Sequence, residues 1–141
     1  MENYSNKSEA EKEEFKKVGE NATELLNQAL KNLKKAKRWS KLDLIGGRWI
    51  STATKQKYMF RARGFIGEAV FLMDKYGREY KSVSYGLGIE GLDTSGPFGT
   101  ADYSRYDGYI DYVTYERITG IIEIVKNTIS KIEELLAENR K

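Results

Sequence analysis

Apolar residues in the first third of the chain recur every three or four positions. Such spacing places them in one stripe along a helix, close to the coiled-coil period. Ser8 and Glu11 have the spacing of a capping box at the start of this segment. The pattern predicts a long amphipathic helix over about 8–40. Its apolar positions are Phe15, Val18, Ala22, Leu25, Leu26, Ala29, Leu33 and Ala36.

The last third of the chain repeats this spacing. Many of its apolar residues are β-branched, but the helical period is the stronger signal because packing usually outweighs propensity. We predict a helix over about 101–138. Its stripe consists of Ile118, Ile121, Ile122, Val125, Ile129, Ile132, Leu135 and Leu136.

The middle of the chain supports two interpretations. Ser51 and Thr52 can begin a helix over about 50–79, yet two short segments alternate like strands, and Gly64 and Gly67 disfavour a helix interior. The residues alone leave open a helix or a small antiparallel sheet. If the segment is a helix, its apolar positions are Ala53, Phe60, Phe65, Ala69, Leu72 and Tyr76.

Together these patterns predict an all-α fold, an elongated bundle of three long helices with a coiled-coil-like stripe. The alternative is an α+β fold with a central antiparallel sheet between the N- and C-terminal helices. We expect a single domain over 1–141, with a disordered tail at about 1–7. Residues 81–99, which are rich in glycine and hold the only proline, are predicted to form a loop.

The amino-acid composition excludes several kinds of catalytic and metal site. The chain has no Cys and no His, so disulfides, thiolate chemistry, His-ligated metals and Ser-His-Asp triads are excluded. We therefore predict a non-enzymatic protein without a cofactor. No apolar run approaches the ~20 residues that a membrane span needs. The polar N-terminus lacks the pattern of a signal peptide, so a cytoplasmic location is expected.

The net charge of +3 conceals an uneven distribution. Residues 16–81 carry 16 bases and six acids, whereas residues 82–115 carry one base and five acids. Two such segments can pack against each other, or the basic one can form an anion-binding surface.

Three stretches resemble motifs of a family of uncharacterised, largely helical bacterial proteins. The first is AKRWSKLDLIGGRWISTATK at 36–55, similar to the family's W-x-x-x-D-L-h-G-G pattern, where h is hydrophobic. The second is EAVFLMDKYGREYKSV at 68–83. The third is FGTADYSRYDGYIDYVTYERI at 98–118, which resembles an A-D-Y…D-G…D-Y pattern. The resemblance implies a helix for the middle segment, and it implies no particular activity.

The chain departs from the family pattern at a few positions. Gln56 follows Lys55 where family members often have histidine, and Ser104 and Arg105 stand where they have bulky aromatic residues. A role that needs that histidine is therefore not expected here.

Both tryptophans bracket the glycine pair of the first motif. Asp43 can cap a reversing turn, and Gly46 and Gly47 can take backbone angles that other residues resist. Trp39 and Trp49 would then bury their rings on either side of a helix-hairpin tip. We assign these five residues a structural role.

Two further constellations are candidates for binding. A basic, tyrosine-rich surface could capture an anionic small molecule or nucleic acid through charge and stacking. Its candidate residues are Lys55, Lys57, Arg61, Arg63, Tyr103, Tyr106 and Arg117. Three carboxylates, Asp102, Asp107 and Asp111, are a weak candidate for a metal site, and a metal hydrolase built on them ranks last.

The leading functional prediction follows from the long stripes and the missing catalytic set. We expect a helical interaction protein that associates with copies of itself or with another protein. Capture of an anionic ligand is the alternative.

Overall fold

The computed structural model describes residues 8–44, 48–76, 78–87 and 108–139. Within these ranges the regular structure is helical and contains no strand, which confirms the all-α class and contradicts the central sheet there. The helices are α1 (Glu9–Leu44), α2 (Arg48–Tyr76), α3 (Arg78–Gly86) and α4 (Gly108–Asn139).

The helix boundaries differ from the predicted ones in three places. The first helix passes Ser40 and continues to Leu44, so Asp43 lies within its last turn. The helix predicted over 50–79 ends at Tyr76, and a separate short helix follows it. Residues 81–86 belong to that short helix, so the loop prediction was wrong for them. Leu87 is helical as well and is buried, so the loop prediction was wrong there too. Residues 88–99, the tail and residues 101–107 lie outside the described residues.

The predicted capping box at the start of α1 is confirmed. The Ser8 backbone N–H donates to Glu11 Oε1 at 2.9 Å, and the Glu11 backbone N–H donates to Ser8 Oγ at 3.2 Å. Each bond gives a partner to an N–H group near the helix start, which the helix itself leaves without an acceptor.

Helix α1 lies between α2 and α4 and is antiparallel to both. Near the end of α1, the Lys35 ammonium lies over the Tyr58 ring and the Lys37 ammonium over the Tyr115 ring. The end of α1 therefore lies beside the first halves of α2 and α4. Helix α3 contacts both α2 and α4 near the other end.

The core forms along the stripe predicted for α1. Small residues recur in that stripe and in the buried face of α2, so the helix axes can approach closely. The fully buried small residues are Ala22, Ala29 and Ala36 on α1 with Ala62 and Ala69 on α2. Larger core side chains are Phe15, Leu26, Leu33, Ile66, Met73, Tyr80, Ile118, Val125 and Ile132.

Three aromatic rings join α1 to the end of α2 and the start of α3. Phe15 stacks on Tyr80 at 4.6 Å between centroids, and Tyr76 meets both rings edge-on at 5.8 and 5.6 Å. The Tyr80 hydroxyl donates to the Phe15 carbonyl at 2.6 Å, and the Tyr76 hydroxyl donates to the Glu11 carbonyl at 3.1 Å. Burial first, and then three nearby glutamates, raise the pKa of Tyr76 above its ordinary value.

Gly19 lies where α1 has no room for a side chain. A Cβ added there would collide with the Tyr80 hydroxyl and lie 2.7 Å from Leu136 Cδ2. By contrast, a Cβ added at Gly120 on α4 would meet nothing within 4 Å. The first glycine is thus required by packing, whereas the second is not.

We predict opposite effects for two alanine substitutions. Gly19→Ala should lower the free energy of unfolding by about 1–3 kcal/mol, because overpacking outweighs the better helix propensity. Gly120→Ala should raise it by up to about 1 kcal/mol. Urea unfolding followed by circular dichroism measures both. Stabilisation by Gly19→Ala would show that α1 and α3 are farther apart than described.

Candidate functional site

Four of the five basic residues predicted to bind a ligand lie on α2, and they differ in exposure. Lys55 is fully buried, Arg63 is half-buried, and Lys57 and Arg61 are exposed. The sequence does not distinguish these environments. Arg117 is exposed on α4. Tyr103 and Tyr106 lie outside the described residues, so their part in the site stays a prediction.

Three cations converge on the ring of Tyr58. The Lys35 and Lys57 ammonium nitrogens lie 5.3 and 5.9 Å from its centroid, and the Arg61 guanidinium carbon lies 5.8 Å from it. These are cation–π distances. Among the described residues, none of the three forms an ion pair with a carboxylate. We call Lys35, Lys57, Tyr58 and Arg61 the Tyr58 cluster.

The Tyr58 cluster lies at the strongly basic end of the α1–α2 pair. Residues 25–67 contain 11 bases and one acid, Asp43. Because α1 and α2 are antiparallel, the end of one and the start of the other add their positive charge at the same end. Such a concentration of charge attracts anions over distances of about 8–10 Å at physiological ionic strength.

Buried polar groups lie deeper at this same end. Ser40 Oγ and Gln56 Nε2 are buried and have no hydrogen-bond partner among the residues that the structure describes. Other buried polar side chains do: Asn32 donates to the Gln28 carbonyl at 2.8 Å. A buried polar group that lacks a partner lowers the stability of the fold.

The residues assigned to the hairpin tip are only partly described. Trp39 is half-buried on α1. Asp43 and Trp49 lie in helical backbone, but their side chains are not described, and Gly46 and Gly47 fall outside the described residues. The stapling role of the two tryptophans therefore stays a prediction.

The candidate metal site is likewise untested. Asp102 and Asp107 lie outside the described residues, and the side chain of Asp111 is not described. Within the part of the chain that the structure describes, no group of three or more His, Cys, Asp or Glu residues is arranged to hold a metal ion.

The outer face of α2 carries a feature that the sequence analysis missed. Phe60 is 60% exposed and Phe71 is 69% exposed, although the pattern placed Phe60 in a core-facing stripe. The stripe that is buried runs through Met59, Ala62, Ile66, Ala69 and Met73, and it shares only Ala69 with the predicted stripe. The sequence feature that could have predicted this exposed face is the presence of apolar residues on two opposite faces of one helix.

Gly64 and Gly67 lie between the two exposed phenylalanines. A Cβ added at either glycine would meet no atom within 4 Å. At 100° per residue, Phe60, Gly64, Gly67 and Phe71 all fall within about 60° of one another around the helix. We call these four residues the outer α2 face.

No family model, no curated protein and no solved structure matches this chain. The resemblance of the three sequence motifs to a bacterial family accordingly stays a prediction. None of the helices, as far as they are described, is long and apolar enough to cross a membrane.

We predict opposite effects for removing two buried hydroxyls. Ser40→Ala should raise the free energy of unfolding by up to about 1 kcal/mol, because it deletes a buried hydroxyl that has no partner among the described residues. Ser84→Ala should lower it by about 1.5–3 kcal/mol, because Ser84 Oγ donates to the Asp74 carboxylate at 2.5 Å. Urea unfolding measures both. Equal destabilisation by the two changes would mean that Ser40 does have a structural partner.

Proposed function

We propose that this protein is a non-enzymatic helical interaction protein that associates with copies of itself. The observation that carries this proposal is the exposure of Phe60 and Phe71 on the outer α2 face. Scattered single apolar residues are normal on a protein surface. Phe60 and Phe71 instead lie about 16 Å apart on one helix face, and both rings lose their contact with water when another helix packs along that face.

The opposite face of α2 is buried in the core of the chain. Its residues Met59, Ile66 and Met73 are buried against α1, so α2 has two apolar faces rather than one. A helix that is apolar on two opposite sides is typical of one that packs against two neighbours. Within the described residues, α1 covers one side and leaves the other exposed.

The proposal includes the finer expectations from the sequence. They are an elongated, coiled-coil-like arrangement of the long helices and a cytoplasmic location. A second copy of the chain is the proposed partner.

Self-association is tested by measuring mass against concentration. Sedimentation equilibrium of the unmodified protein should show a monomer that converts to a larger species as concentration rises from 1 µM to 1 mM, on the order of the Kd range of small interfaces. Phe60→Ser with Phe71→Ser should weaken this conversion at least tenfold, because the lost apolar burial is worth more than about 1.4 kcal/mol.

A control variant tests whether a change elsewhere on the surface also weakens the association. Glu134→Ala changes an exposed residue of α4 far from the outer α2 face. It should leave the association unchanged. A monomer at every concentration in the unmodified protein would contradict the proposal.

A second candidate function is the capture of an anionic ligand, either a nucleotide or nucleic acid, by the Tyr58 cluster. Its support is the convergence of three cations on one ring without a carboxylate partner among the described residues. Positive charge without nearby counter-charge favours phosphate contacts. The ring of Tyr58 orients the cations and holds α1 and α2 side chains together.

Binding of a fluorescein-labelled single-stranded oligonucleotide tests this candidate. The triple change Lys35→Ala, Lys57→Ala and Arg61→Ala should weaken binding at least tenfold. It should also lower the slope of log affinity against log salt by about 2, because about three phosphate contacts are lost. Fluorescence anisotropy at several salt concentrations measures both quantities.

The control for this experiment removes the same charge elsewhere. Lys16→Ala, Lys126→Ala and Lys131→Ala change three exposed lysines outside the Tyr58 cluster. This control should reduce affinity far less than the cluster variant does. Equal losses would mean that binding follows net charge and that the cluster is not a site.

A further inference from the structure

We infer that two copies of the chain pair through their outer α2 faces, antiparallel, about a two-fold axis that passes between Gly64 and Gly67. This inference rests on the proposed self-association and states which surface and which orientation produce it. The partner is a second copy of this chain. Four observations support the pairing: the two glycines, the positions of the two phenylalanines, one pair of opposite charges, and the charge polarity of the molecule.

No neighbour among the described residues of one copy accounts for the two glycines. Glycine in a helix interior costs about 0.5–1 kcal/mol relative to alanine. At Gly19 the close packing offsets this cost, because any side chain there would collide with its neighbours. At Gly64 and Gly67 a Cβ would meet nothing within 4 Å, so the fold of one copy does not need them. A flat surface without Cβ atoms does allow a second helix to approach closely.

The positions of the four residues are symmetric along α2. Gly64 and Gly67 lie midway between Phe60 and Phe71. If a second α2 runs in the opposite direction about this midpoint, Phe60 lies opposite Phe71 of the second copy, and Gly64 lies opposite Gly67 of the second copy. Each phenylalanine ring then meets the other chain's ring beside the close glycine contact. A two-fold interface requires this self-complementarity.

Arg61 and Glu68 supply matching charges on one flank of this face. Both are exposed, and they are seven positions apart, so they project from the same side of the helix. In an antiparallel pair, side chains on the same flank face each other. Arg61 therefore lies beside Glu68 of the second copy, and the two-fold axis repeats this ion pair. Lys57 and Lys75 share that flank and form a like-charge contact between copies, which limits the affinity.

The polarity of the whole molecule favours the antiparallel orientation. The basic end holds 11 bases and one acid within residues 25–67. At the opposite end, α1 begins with the exposed acids Glu9, Glu11, Glu13 and Glu14, beside the end of α2. Antiparallel pairing places the basic end of each copy near the acidic end of the other, whereas parallel pairing places like charges together.

The size of the contact predicts a weak dimer. The 29 residues of α2 span about 43 Å at about 1.5 Å per residue. Two such helices in contact bury on the order of 1,000 Å² in total, which is near the lower limit for a specific interface. Dissociation in the micromolar range or above follows from that area, and the state of the protein then depends on its concentration.

The first test separates folding from association by using the glycines. Gly64→Ala with Gly67→Ala should raise the urea midpoint of the monomer, because alanine is the better helix former. The same change should raise the dimer Kd at least tenfold, because the new methyl groups separate the helices. Gly120→Ala, also without neighbours within 4 Å, is the control: it should raise the midpoint and leave Kd unchanged. An unchanged Kd in the double variant would overturn the inference.

The second test uses charge reversal, with Kd measured by sedimentation. Arg61→Glu and Glu68→Arg should each weaken the dimer at least fivefold, and the two together should restore it. Lys75→Glu should strengthen it, because the contact with Lys57 becomes attractive. A dimer that is insensitive to all of these changes would overturn this interface while leaving self-association standing. A monomer at all concentrations would overturn both.

The third test determines the orientation. The chain has no cysteine, so Lys57→Cys introduces one defined attachment point for a spin label. In the antiparallel dimer the two labels should be about 25–30 Å apart, since the axis lies between residues 65 and 66. In a parallel pair they would face each other at less than about 20 Å. Pulsed electron spin resonance measures this distance, and the shorter value would overturn the antiparallel arrangement.

Discussion

The close approach of α1 to two neighbouring helices is the contact on which the rest of the fold depends. Its stripe contains Gly19 and the fully buried Ala22, Ala29 and Ala36. Small residues at these positions allow helix axes to approach closely, and a close approach adds dispersion contacts between the helices. Phe15 adds an aromatic contact that fixes the end of α2 and the start of α3 against the same helix.

With α1 in the middle, the two sides of α2 acquire different roles. One side is buried by α1, and the other carries Phe60 and Phe71 with the glycine pair between them. The antiparallel α1–α2 pair also adds the basic halves of the two helices at one end. The proposed self-association and the proposed anion capture therefore use adjoining surfaces of the same helix, and Lys57 and Arg61 take part in both.

The sequence was a partial guide to the candidate site. Charge density directed attention to Lys57 and Arg61, which are exposed and lie over the Tyr58 ring. It missed Lys35, which reaches that ring from α1, because a contact between two helices has no local signature in either one. It also grouped the fully buried Lys55 with these exposed residues, since residue type alone does not show which face of a helix is covered.

The sequence by itself determined the long helices at the two ends of the chain, the capping box at Ser8 and the buried stripes of α1 and α4. These features depend on local hydrogen bonding and on the 3.6-residue period, which short stretches of sequence display directly. Only the tertiary structure decided which side of α2 is buried. That helix has apolar residues on both sides, so its periodicity is weak. The choice of side depends on the match between Met59, Ile66 and Met73 and the small residues of α1, which are distant in the sequence.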